Sequence, residues 1–204
     1  MITIIDYGMG NLGSIQNMIK KVGGQSIITS DSEIISKADK VLLPGVGSFD
    51  RAMSNLNELN LVNVIKQKAS SGTPFLGICL GMQLLADRSE EGTSNGLGII
   101  PGEVKKFVIK KKEMKIPHMG WNLVRYKPSS KLFANFEIFD EVKFYFVHSY
   151  HFVAKFDSDI LTTTSYDLDF TSGVNNGNVY GLQFHPEKSH KYGMQLIKNF
   201  TELL

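Results

Sequence analysis

Short β-branched runs alternate with amphipathic stretches through the first half of the chain, and this alternation narrows the accessible folds more than any other feature. The runs are Ile2–Ile5, Ser26–Thr29, Val41–Leu43 and Phe75–Ile78. Between and beyond them, Leu12–Val22, the stretch from about Phe49 to Ala69, and the residues after Cys79 carry apolar side chains at helical spacing. Strand, helix and strand in repetition build a parallel sheet that has to be covered on both faces. The pattern then changes. Val104–Ile109, Leu123–Tyr126, Val142–Val147, Phe152–Phe156, Leu161–Ser165 and Val179–Phe184 are strand-like and separated by turn residues, which predicts an antiparallel or mixed extension. Met194–Leu204 reads as a closing amphipathic helix. The expected fold class is α/β, with a mostly parallel central sheet flanked by helices. The chain of 204 residues shows no repeat, low-complexity tract or linker, so one domain is expected over residues 1–204.

Charge and cysteine content exclude several classes of function. A formal charge of +2 is no electrostatic footprint for nucleic acid. A single cysteine rules out an internal disulfide and fits a reducing compartment. Met1–Asp6 lacks the basic and long apolar segments of a signal peptide, and no stretch approaches membrane-spanning length. The expectation is a cytoplasmic protein with neither nucleic acid nor membrane as partner.

The lone Cys79 has two readings. Free cysteine is usually a small buried hydrophobe. Here, however, it stands within Gly77-Ile78-Cys79-Leu80-Gly81, between an apolar run and a helix-like segment. Two glycines around one cysteine imply a backbone constraint that core packing does not require, the sharp strand-to-helix turn that presents a nucleophile. A thiol at the start of a helix also has its thiolate favoured by the N–H groups there. Near the other end, His185 and Glu187 are two residues apart and project to one side of an extended chain, with Pro186 ending the strand. The carboxylate can orient the imidazole and the imidazole can serve the thiol, or the two can be a plain surface salt-bridging pair. His118, His148, His151 and His190 remain alternative bases by spacing alone. Cys79, His185 and Glu187 lack the close-spaced pairs typical of metal ligands, so no metal is expected.

Three further segments carry possible chemistry. Pro44-Gly45-Val46-Gly47 follows an apolar run, and its glycines can turn backbone N–H groups toward a bound atom, as half of an oxyanion hole or as a plain β-to-α turn. Gly8-Met9-Gly10-Asn11-Leu12-Gly13 has the spacing of a dinucleotide loop, with Asp31 as a ribose-binding acid, which gives a remote reading as an NAD-binding module. Lys105, Lys106, Lys110, Lys111, Lys112 and Lys115 read as a solvated hairpin.

Taken together, Pro44–Gly47, Gly77–Gln83, Pro117–Asn122, Tyr145–Tyr150 and Gln183–Ser189 resemble the class I glutamine amidotransferases. Met119-Gly120-Trp121-Asn122 narrows the resemblance to the glutaminase subunits of imidazole glycerol phosphate synthase. The resemblance runs in order from the first strand to the last helix and implies the flavodoxin-like amidotransferase fold. It implies a catalytic triad of Cys79, His185 and Glu187, an oxyanion hole from Gly45, Val46, Gly47 and Leu80, and glutamine held by Gln83, Glu91, His148, Ser149 and Tyr150. Glu91 follows the elbow helix together with Asp87 and Glu90, where the helix dipole disfavours negative charge, so an acid there has a reason to bind an ammonium group, the alternative being a solvated surface cluster that accounts for at least two of the three. No cofactor is implied. The partner implied is a (β/α)₈ barrel cyclase in a heterodimer, contacted through Asn11, Ser14, Met119, Trp121, Asn122, Tyr145 and Lys188. Trp121 has the alternative of being ordinary core. Paralogues of this kind feed ammonia to a related barrel for amidating a surface polysaccharide sugar, and Tyr166-Asp167-Leu168-Asp169-Phe170 departs from the glycine-rich version associated with the histidine enzyme.

Overall fold

The computed structural model describes residues 1–111 and 113–204. In chain order the first half contains β1 (Ile2–Ile5), α1 (Leu12–Lys21), β2 (Ser26–Thr29), α2 (Ser32–Ser36), β3 (Lys40–Gly45), α3 (Phe49–Glu58), α4 (Val62–Ser70), β4 (Phe75–Cys79) and α5 (Leu80–Gln83). The second half contains β5 (Arg88–Ser89), β6 (Gly102–Lys106), β7 (His118–Leu123), β8 (Arg125–Tyr126), β9 (Lys143–His148), β10 (Tyr150–Ala154), β11 (Ile160–Tyr166), β12 (Leu168–Asn176), β13 (Val179–Leu182) and α6 (His190–Leu203).

Strands run β2-β1-β3-β4-β13-β12-β10-β6-β5 across the main sheet. The pairs from β2 to β13 are parallel, and β12 pairs antiparallel with β13, β10 and β11. The expected parallel sheet with an antiparallel extension is therefore present. Alternation along β3 shows why both faces must be covered. Val41 and Leu43 pack with Phe49, Met53, Leu56 and Ile65 of α3 and α4, while Leu42 packs with Ile15, Ile19, Leu196 and Phe200 of α1 and α6. A central strand with two buried faces reads as continuous apolar sequence for this reason.

Several expectations are corrected. The helix from Phe49 to Ala69 is two helices, because Asn60 adopts a left-handed conformation with φ of 56° and the turn buries Leu61 completely. Asparagine is among the few residues that tolerate that region. The helix after Cys79 is a single turn. The longest strand, β12, was not anticipated, since Asp169, Thr171, Ser172 and Asn175 make it look polar. It is buried regardless, because the Ser172 hydroxyl bonds those of Thr162 and Thr164 on β11 at 2.9 Å each. Nor do the described lysines form a hairpin. β6 ends at Lys106, and the backbone N–H groups of Lys110 and Lys111 donate to the Asp167 carboxylate at the β11–β12 turn. Lys112 lies outside the described residues. The next strand, β7, belongs to a separate two-stranded sheet with β9.

Candidate active site

The site lies at the carboxyl ends of β3, β4 and β13, where open α/β sheets hold their ligands. β4 ends on Cys79, whose φ of 56° and ψ of −111° lie outside the ordinary regions for an L-residue. The flanking glycines make that turn possible. A Cβ on Gly77 would stand 2.6 Å from the Gly81 carbonyl oxygen, and one on Gly81 would stand 1.9 Å from the Leu43 carbonyl oxygen. The elbow therefore folds back on itself and docks against β3, storing on the order of 1–3 kcal/mol at the cysteine. Cys79 lines a cavity of about 350 Å³ together with Val46, Gly47, Leu80, Gln83, Glu91 and His185. Pro117, Val147, His148, Ser149 and Tyr150 complete the lining.

His185 follows β13 in extended conformation, its N–H bonded to the Tyr145 carbonyl at 2.9 Å. Pro186 then turns the chain so that the Glu187 carboxylate reaches back to His185 Nδ1 at 2.8 Å, with both side chains 2% exposed. Nε2 is buried with no hydrogen-bond partner and is the nitrogen left for the cavity. Burial works against the imidazolium, but Cys79 and Glu187 together outweigh it and raise the pKa to about 10. A protonated imidazole between a carboxylate and a sulfur can donate a proton in one step and accept one in the next.

The other histidines are set apart by environment. Burial pushes His118 down to about 4 and His148 to about 3, so both are neutral. His151 packs against Phe107 at 4.7 Å between ring centroids, and His190 stacks on Trp121 at 5.5 Å. Neither lines the cavity.

Glu91 enters the cavity while Asp87 and Glu90 do not. Its Oε2 accepts the Phe49 N–H at 2.9 Å, and burial raises its pKa. Asp87 and Glu90 instead accept the N–H groups of Gly102 and Lys106. Gln83 donates to the Tyr150 carbonyl at 3.2 Å and to Gln183 Oε1 at 3.0 Å. Gln183 in turn donates to the Cys79 sulfur at 3.8 Å. Sequence reasoning missed Gln183, although a residue two before His185 projects to the same side of an extended chain. Tyr7 was missed as well. Its phenol donates to the Pro44 carbonyl at 2.7 Å beneath the Pro44–Gly47 loop, and burial raises its pKa, with Cys79 adding to the effect.

Of the four residues expected in an oxyanion hole, Val46, Gly47 and Leu80 line the cavity. Gly47 has φ of 112°, a conformation that glycine favours. Leu80 opens α5, where an N–H has no intrahelical acceptor. Gly45 does not line it. It is the last residue of β3, and a Cβ there would stand 2.5 Å from the Tyr7 hydroxyl, so its role is close packing.

The dinucleotide reading fails on local grounds. Asp31 caps α2, accepting the N–H groups of Glu33 and Ile34, and is not free for a ribose. Gly10 instead lets the loop after β1 press on the Pro44–Gly47 loop, with Gly10 against Pro44 and the Met9 methyl against Gly47, while Gly8 faces the Asn55 side chain. Among the described residues no three His, Cys, Asp or Glu side chains cluster as a metal site, and no helix is long and apolar enough to cross a membrane.

The residues expected to contact a partner mark a rim beside the site. Met119 and Trp121 point outward from β7 at 61% and 45% exposure, so Trp121 is not core. Trp121 stands edge-on to Tyr145, over whose ring the Lys188 ammonium lies at 5.7 Å. α1 rests against the Pro186–Lys188 turn, which places exposed Asn11 and half-buried Ser14 toward the same end. Asn122 differs. Its Nδ2 donates to the Ser165 carbonyl and pairs with His118 Nε2, while its Oδ1 accepts the Leu123 N–H, so the amide is committed inward.

Residues 3–203 match the family described as Glutamine amidotransferase class-I. The chain is 55% identical over 203 residues to imidazole glycerol phosphate synthase subunit HisH 2 of Methanococcus maripaludis, covering 99% of each. It is 45% identical to the HisH 2 subunit of Pseudomonas aeruginosa, covering all of both chains. It is also 47% identical to the HisH subunit of Sulfurimonas denitrificans, over 99% of this chain and 98% of that one. In overall fold it is similar to a glutamine amidotransferase crystal structure with TM-score 0.75 at 16% identity, covering 100% of this chain and 98% of that one. PurLQS from Thermotoga maritima gives 0.72 at 19%, covering 98% of this chain and 96% of that one.

Proposed function

Because the chain belongs to the class I glutamine amidotransferases, we propose that it is the glutaminase subunit of an imidazole glycerol phosphate synthase, with Cys79, His185 and Glu187 as its catalytic residues. The observation that carries the assignment of residues is the strained Cys79 facing the buried His185–Glu187 pair in a cavity of about 350 Å³.

Glutamine enters with its side-chain amide at Cys79 and its α-ammonium group at Glu91, beside the backbone of His148, Ser149 and Tyr150 and the Gln83 amide. The Cys79 thiolate attacks the amide carbon. The oxyanion that forms is held by the Leu80 N–H and by an N–H of Val46 or Gly47. When it collapses the carbon–nitrogen bond breaks, His185 Nε2 gives its proton to the nitrogen, and ammonia leaves a γ-glutamyl thioester. The neutral imidazole then removes a proton from water, the hydroxide attacks the thioester carbon, and the thiolate departs. Glutamate and ammonia are the products, and His185 ends protonated as it began. Glu187 keeps Nδ1 protonated and the ring in place through both steps.

A partner subunit receives the ammonia. On this reading it is a barrel cyclase, docked in a heterodimer over Asn11, Ser14, Met119, Trp121, Tyr145 and Lys188. The subunit names of the relatives favour the histidine pathway over sugar amidation. Mixing the protein with barrel cyclases of each kind and their acceptors, and measuring glutamate release, tests the assignment. Stimulation by the histidine-pathway cyclase is expected. Stimulation only by a sugar-amidating barrel, or rapid turnover without any partner, would overturn it.

Glu91→Gln tests the substrate contact. Losing a charged hydrogen bond of about 1.5–3 kcal/mol raises KM for glutamine roughly tenfold to a hundredfold, with kcat nearly retained. An unchanged KM would remove Glu91 from the ammonium site.

A further inference from the structure

Two buried imidazoles that take no part in the proposed chemistry lie in one directional line of hydrogen bonds. His148 Nδ1 is 2.7 Å from the Tyr150 carbonyl, and a carbonyl only accepts, so the proton is on Nδ1. Nε2 of the neutral ring is then an acceptor, and His118 Nδ1 stands 2.8 Å from it and must donate. That leaves His118 Nε2 as an acceptor for the Asn122 amide at 3.1 Å. The other end fixes the same polarity independently. Asn122 Oδ1 accepts the Leu123 N–H at 2.8 Å and Nδ2 donates to the Ser165 carbonyl at 2.9 Å, so the amide presents N–H to His118.

The surroundings keep both rings neutral. His118 and His148 are 2% and 6% exposed. Phe146 and Tyr166 stack on His118 at 4.8 and 4.0 Å, while Phe107 and Phe170 pack on His148 at 5.2 and 5.3 Å. With no acceptor surplus and no carboxylate on this line, each ring has one proton and one arrangement.

The line reaches the reacting atoms. The Tyr150 carbonyl that accepts from His148 also accepts from Gln83, which donates to Gln183, which donates to Cys79. We propose that His118 is a positioning residue for glutamine hydrolysis, locking His148 in its Nδ1–H tautomer and so holding the Tyr150 carbonyl and the Gln83–Gln183 amides against Cys79. The proposal rests on the glutaminase reading of this site. Its far end is Asn122, whose amide lies on the inward face of β7, opposite exposed Trp121 and Leu123, so the line ends one strand layer beneath that outer face.

Imidazole ¹⁵N–¹H correlation spectra of the wild-type protein test the line whether or not the glutaminase reading holds. Both His118 and His148 are expected neutral with the proton on Nδ1, and an Nε2–H tautomer or a charged ring at either position near pH 7 would overturn the proposal. Kinetics of the complex with its cyclase test the consequence. His118→Phe keeps a ring in the aromatic box but can neither donate nor accept. It is expected to lower kcat/KM for glutamine about tenfold or more, the scale of leaving buried polar groups unpaired. Synthesis from ammonium salts is expected to be unaffected. His118→Asn restores a donor to His148 and is expected to recover most of the loss. Wild-type kcat/KM in His118→Phe, or equal loss in both variants, would make His118 merely structural. A wild-type complex with no glutamine turnover would instead refute the glutaminase reading and leave the tautomer result standing.

Discussion

Replacing Cys79 by alanine lowers glutamine-dependent synthesis in the reconstituted complex by a factor on the order of 10⁴ or more, because no other group near the cavity forms the thioester. Synthesis driven by added ammonium salts persists, since ammonia then bypasses the glutaminase. Measuring both reactions on one preparation separates chemistry from folding, and loss of both would show that Cys79 holds the structure together. Stability gives a second readout. Alanine inherits the φ of 56° that strains the cysteine, whereas glycine occupies it freely. Cys79→Gly is therefore expected to melt above Cys79→Ala, by about 1 kcal/mol in stability, despite losing another side-chain atom. The reverse order would mean that the elbow is not strained.

Gly81→Ala is expected to be among the most damaging single-methyl additions in the chain. The new Cβ would stand 1.9 Å from the Leu43 carbonyl oxygen, which is backbone inside β3 and cannot move aside as a side chain would. Relieving the clash means separating the elbow from the strand that carries the Pro44–Gly47 loop. The loss falls among the exceptional ones, above about 4 kcal/mol. Thermal melting reads it as a large drop in Tm or as no soluble protein. Gly13→Ala is the control. A Cβ there meets nothing within 4 Å, and Gly13 lies within α1, so alanine is expected to stabilise by about 0.5–1 kcal/mol. A mild effect at Gly81 would mean that the elbow does not dock on β3 as described.

Legibility in the sequence followed the range of the interactions involved. The parallel half was readable because a strand buried on both faces has to be continuously apolar, as Val41–Leu43 and Phe75–Ile78 are. β12 was not readable, because its polar Ser172 becomes core only when Thr162 and Thr164 of β11 supply matching hydroxyls from the other side of a hairpin. The break at Asn60 was hidden for a similar reason: the helical pattern continues through it, and burial of Leu61 decides the turn. At the site, Cys79, His185 and Glu187 stood out through local spacing. Gln183 and Tyr7 did not, since a glutamine in a strand and a tyrosine after one acquire meaning only from what they touch. Asn122 was placed at the docking surface because its segment is distinctive, yet its amide is turned inward to His118 and Ser165.

By itself, the sequence determined the class of fold, the cysteine elbow and the histidine–carboxylate pair. Each is written in periodicity or in spacing across a few residues, where backbone geometry alone dictates direction. The family resemblance already singled out His185 and Glu91; tertiary structure decided what spacing left open, that both enter one cavity with Cys79 and that His118 and His148 form one line ending at the nucleophile. Those choices depend on burial and on hydrogen bonds between residues tens of positions apart, from Gln183 to Cys79 and from His118 to His148, and no local pattern records them.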